Sequence, residues 1–191
     1  MNFKITKTLL TLLISGLFTY SCAVENTAPN QSKPTTADKV NSTDTTEPKV
    51  GSNVDNKFVQ SFEPKPTAGT KITYISTAPT GETRESTTEI LSVKDEIIKV
   101  RLTDPDGSKE LEGKNEDFKD DLPKTGIKYE GKEDIKVPAG EHKGATKVSF
   151  TNEQGTKVTL WLVKGFGPVK RVDFIKESHV ITTELKEFIT K

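Results

Sequence analysis

The chain has 191 residues, with 28 Lys and Arg balanced by 28 Asp and Glu, and only 31% of it is hydrophobic. Balanced charge argues against a dedicated nucleic-acid binder, which shows a basic excess on one face. A chain this polar buries one modest core rather than two, and its length is that of a single domain.

The N-terminus has the layout of a secretory signal. Lys4 and Lys7 form a basic start, and residues 9–18 form an apolar run too short for a comfortable membrane span. The run leads into Thr19, Tyr20, Ser21 and Cys22. A small residue followed by cysteine resembles the lipobox of bacterial lipoproteins. Thr19 and Tyr20 depart from it, standing where that pattern has Leu and a small residue. The resemblance implies that residues 1–21 are a signal peptide and that the mature protein starts at Cys22. Lipid, palmitate among its acyl groups, would then sit on the sulfur and amine of Cys22 and anchor the protein to a membrane. Cys22 is the only cysteine, so no intramolecular disulfide can form. Ala23 behind it, rather than Asp, suits outer-membrane sorting if the cell is Gram-negative.

Residues 23–56 contain no aromatic residue, Leu or Ile and are rich in Thr, Ser, Asn and Pro. Such a segment cannot bury enough apolar surface to offset its ordering entropy, so residues 22–56 read as a disordered tether carrying the lipidated cysteine. As a flexible coil of about 34 residues it spans roughly 30 Å.

Residues 57–191 read as the folded domain. Phe58 and Phe62 bound a short apolar run closed by Pro64 and Pro66. Residues 70–77 alternate and are β-branched, which predicts a strand. Residues 83–93 and 96–103 predict a hairpin turning at Lys94 and Asp95. In its second arm Ile98, Val100 and Leu102 alternate with Lys99 and Arg101, so one face meets a core and the other water. Asp104-Pro105-Asp106-Gly107 is a turn signal. It fails as a calcium loop because Lys109 and Asn115 stand where the Gly and Glu of that loop belong. The polar run 109–122 predicts a solvated loop with one helical turn near Phe118. Strands follow at 126–137, ended by Pro138, at 143–151 and at 156–163, with turns at Pro138-Ala139-Gly140 and at residues 152–155. The strand 156–163 is apolar on both faces from Leu160 to Val163, which predicts a central position. Gly165-Phe166-Gly167 turns the chain back into another strand, and residues 179–189 predict a closing strand over a helix. Nine or ten short strands with regular turns and no strong helix make an all-β, mainly antiparallel domain, a curved open sheet or incomplete barrel behind a disordered linker.

Residues 133–140, with Val137-Pro138-Ala139-Gly140, then Trp161 and Gly165-Phe166-Gly167-Pro168-Val169-Lys170, resemble a pattern found in uncharacterised bacterial envelope proteins. Their open, curved sheets are similar to periplasmic lipoprotein carriers of the LolA/LolB type. His142 and Pro168 depart from the pattern, which carries an aromatic and an aliphatic residue there. The resemblance implies a cell-envelope β domain and no catalytic residue. Trp161 and Phe166 are the residues singled out for contact with a ligand or partner.

The chemistry-bearing residue types give no enzyme motif. His142 and His179 are the only histidines and have neither a Gly-x-Ser-x-Gly partner nor metal-ligand spacing. No phosphate-cradling glycine loop occurs. The expected protein is therefore a non-enzymatic, extracytoplasmic, membrane-anchored lipoprotein without cofactor or metal. A hydrophobic ligand or a protein partner would lie on a concave sheet; the alternative is an accessory subunit of an envelope complex.

Overall fold

The computed structural model describes residues 47–118, 122, 123, 125–176 and 179–190. The signal segment, Cys22 and the linker up to Thr46 lie outside the described residues. Ten antiparallel strands form one open sheet: β1 (Asn53–Val54), β2 (Lys71–Thr77), β3 (Thr83–Lys94), β4 (Ile97–Asp104), β5 (Gly107–Lys114), β6 (Ile127–Val137), β7 (Gly140–Thr151), β8 (Lys157–Val163), β9 (Gly167–Lys176) and β10 (His179–Ile189). Their order is β1-β6-β7-β8-β9-β10-β2-β3-β4-β5. Two meanders, β2 to β5 and β6 to β10, are thus joined side by side through β10 and β2. The sheet begins a few residues before Lys57, because Asn53 and Val54 pair with Lys128 and Ile127.

Strand β10 is interior rather than terminal. It pairs with β9 on one side and with β2 on the other, so its backbone groups have partners on both edges. That settles the ambiguous period of Val180, Leu185 and Phe188 in favour of a strand. Strand β8 is central as its two-faced apolar pattern predicts: Val158, Leu160 and Leu162 enter one core cluster and Trp161 another.

Two elements differ from the sequence reading. The run expected as a solvated loop opens with β5, which forms the sheet edge. Its one large apolar residue, Leu111, lies opposite Val100, while Glu110 lies opposite Arg101. An edge strand with one covered face needs little apolar alternation, and its Lys and Glu residues guard against stray pairing. A 3₁₀ turn over Asn115–Phe118 follows, as the sequence suggested. The second difference is a short helix, α1 (Asn56–Gln60), where only an apolar run was expected. Asp55 caps it by accepting from the Phe58 amide at 2.9 Å.

Register separates the two faces. Tyr129, Val148, Leu160, Arg171, Thr183 and Ser76 lie in one row across six strands. Over β6 to β8 this inner face is covered by Val59 of α1, flanked by Phe58 and Phe62, and by Leu122. Over β3 to β5 it is met by Phe118. Bulges beside Tyr129 and Glu133 bend the β6–β7 hairpin. Its tip swings over until the Ala139 amide donates to the Leu185 carbonyl at 3.0 Å. The sheet therefore curls without closing.

Candidate functional site

Trp161 sits on the outer face of β8, opposite Lys147 of β7 and Lys170 of β9. The two ammonium groups lie 4.9 Å and 5.8 Å from its ring centroid, within cation–π reach. Its indole N–H donates to Glu133. Lys147 pairs with Glu133 at 3.3 Å, and Lys170 with Glu184 at 2.8 Å. The result is a cross-strand ladder in which a lysine flanks the indole on each side and a glutamate pairs with each lysine, with the indole at its centre and only 8% exposed. The indole is covered by its own neighbours, so a ligand would reach it only by displacing a lysine.

The indole hydrogen bond, supported by Lys147, holds the Glu133 carboxyl below the usual glutamate value. A depressed carboxylate contributes stability above its unfolded value and loses it as pH falls through the folded one. The Glu133→Gln variant should therefore be less stable than wild type near neutrality. The gap between their urea midpoints should narrow below about pH 4. A gap that stays constant with pH would show that the carboxylate charge plays no part.

Phe166 lies in the turn between β8 and β9, half-buried, with its ring centroid 5.5 Å from His142 and 4.9 Å from Phe188. Gly165 and Gly167 flank it at φ of 81° and 77°, the region that favours glycine. Both glycine amides donate to the Phe62 carbonyl at 3.0 Å, tying the turn to the segment after α1. Trp161 and Phe166 belong to one hydrophobic cluster, Trp161 as a buried member that also touches the charged ladder and Phe166 packed against it beside the end of β10.

That end carries a groove of about 470 Å³. Its walls are the segment holding Ser61, Glu63, Pro64 and Lys65, the turn at Lys164 and Gly165, and Thr70, Phe188 and Thr190. Thr70 is 2% exposed and its hydroxyl has no hydrogen-bond partner, a condition that costs about 1–3 kcal/mol. Lys164 donates to the Ser61 carbonyl and lies 5.8 Å from the Phe62 ring. Among the described residues neither Lys65 nor Lys164 faces a carboxylate at ion-pair distance, whereas Lys71, Lys99, Lys147, Lys170 and Lys186 each pair with a Glu. The groove is missed by sequence reading because its residues come from four separate stretches and match no motif. The one local signal is a lysine just ahead of a turn glycine.

The remaining candidates are scattered. His142 is on β7 and His179 opens β10. The His142 Nε2 is buried without a partner. Asp104 accepts from the Asp106 amide at 2.9 Å within the β4–β5 turn. No group of three His, Cys, Asp or Glu suited to a metal ion occurs among the described residues, and no helix there is long and apolar enough to cross a membrane.

No protein-family model matches the chain, and no curated protein matches it significantly. Among solved structures it is similar to a protein from Bacteroides fragilis assigned as exported, with a YmcC-like fold, at TM-score 0.47 and 11% identity over 68% of this chain and 99% of that one. It is similar to a protein from Parabacteroides distasonis assigned as a lipoprotein, at TM-score 0.47 and 12% identity over 67% and 98% of the two chains. A third is MucB in complex with MucA(peri), at TM-score 0.45 and 14% identity, over 65% of this chain and 51% of MucB.

Proposed function

We propose that the chain is a non-enzymatic lipoprotein of the cell envelope, anchored through Cys22 outside the cytoplasm, that serves as a binding module for another envelope protein. The observation that carries this reading is the state of the inner face. Phe58, Val59, Phe62 and Leu122 occupy it over β6 to β8, and Phe118 occupies it over β3 to β5. An apolar ligand enclosed against the sheet would have to displace these side chains. The groove at the end of β10 stays open, and its wall joins Pro64 and Phe188 to Ser61, Glu63, Lys65, Thr70 and Lys164, a mixture of apolar and charged groups that suits a protein segment better than an acyl chain alone.

The test is crosslinking in intact cells, with mass spectrometry of both the crosslinked species and an organic extract of the purified protein. The expected result is a discrete heterologous protein adduct and no stoichiometric lipid in the extract beyond the anchor. A strictly monomeric protein would count against the reading, and one extractable lipid per chain would replace it with a carrier function.

A further inference from the structure

We infer that the groove at the end of β10 is a site for a carboxylate-bearing extended peptide segment of the partner. This deepens the binding-module reading and rests on it. The argument begins with the fixed elements of the groove. Phe188 and Pro64 give it two apolar surfaces, enough for a side chain or two. The other lining residues are polar, charged or glycine. Among the described lining residues, Lys65 and Lys164 bring two ammonium groups against the one carboxylate of Glu63. Lys164 uses one N–H on the Ser61 carbonyl and has others to give, since an ammonium carries three donors. The ladder lysines are already neutralised by their glutamates; these two have no ion-pair partner among the described residues.

Thr70 adds a second and independent pointer. Its hydroxyl is buried in the groove wall without a partner, and a buried hydroxyl is normally satisfied. The Thr70 backbone is committed elsewhere: its amide donates to the Thr67 carbonyl at 3.0 Å and its carbonyl accepts from Ile90 at 2.8 Å. The side chain is therefore held in the groove wall by main-chain bonds on both sides, with its donor uncommitted. A carboxylate has lone pairs for both kinds of donor, and a neighbouring apolar side chain of the same segment would lie on Phe188.

The test is a titration of the ¹⁵N-labelled protein with an acetylated, amidated hexapeptide, Ala-Glu-Leu-Leu-Glu-Ala, and with the same peptide carrying Gln for both Glu. The acidic peptide should shift the amides of Thr70, Gly165 and Phe188 in a saturable way. The Gln peptide should bind at least about tenfold more weakly, because charge-assisted hydrogen bonds are the stronger kind. Lys65→Glu, whose side chain holds no other element in place, should abolish the shifts while leaving the rest of the spectrum intact. Thr70→Val should weaken binding without lowering thermal stability, which a purely structural hydroxyl would not allow. Equal binding of the two peptides, shifts away from the groove, or no titration at all would overturn the site. The crosslinking result is independent of it, so a partner found at another surface would leave the binding-module reading standing.

Discussion

Leu160→Ala should cost the domain about 2–5 kcal/mol, the range for truncating a buried leucine. Leu160 is 1% exposed and lies in β8, the strand with core on both faces, within the cluster formed by Tyr129, Val148, Phe150 and Val158. Total stabilities of about 5–15 kcal/mol make this a large fraction of what holds the fold. Urea denaturation followed by tryptophan fluorescence reads it directly, because Trp161 is the neighbouring residue and the only Trp in the chain. Val93→Ala, on an exposed valine near the β3–β4 turn, should stay within about 0.5 kcal/mol. A loss below about 1 kcal/mol at Leu160 would contradict the central placement of β8.

The other large effect concerns attachment. Cys22→Ser should abolish incorporation of labelled palmitate, an all-or-none change, because Cys22 is the chain's only thiol. It should also move the mature domain out of the detergent phase in a phase-separation assay. Stable anchoring takes two lipid signals, each worth about 0.8 kcal/mol per buried methylene, and a serine that carries no acyl chain supplies none. Equal labelling of wild type and variant would remove the lipid anchor from the proposal, while leaving the groove and its test untouched.

Much of the sheet was legible because it is written in short-range patterns. The alternation of Ile98, Val100 and Leu102 marks a strand with one wet face. The doubly apolar run from Leu160 to Val163 marks a covered one. Gly165 and Gly167 mark the turn that both of them make at positive φ. What escaped was fixed by distant neighbours. Strand β5 has Leu111 alone to show for its covered face, so its polar sequence reads as a loop until β4 is beside it. Helix α1 has only five residues, and its apolar side chains serve the core over β6 to β8 rather than a periodic stripe. The groove depends on Thr70, Lys164 and Phe188 being brought together, and no local pattern encodes that meeting. Trp161 was conspicuous as the only Trp, but it is the lysines on either side that determine what it can touch.

The junction of β10 with β2 also constrains how the chain reaches its native state. Ser76 and Thr183 share a buried hydroxyl contact at 2.9 Å across 107 positions of sequence, and Lys71 meets Glu187 across 116. As the chain emerges N-terminus first, β2 to β5 can zip up as local hairpins, yet β2 waits with one side unpaired until the last strand is made. Long-range pairing of this kind is slow, since loop closure must precede any gain from contact. The interval before β10 arrives is therefore when the chain is most open to misassembly. The seam at its middle is the last part of the sheet to form, and a chaperone acting on this protein would have most to protect there.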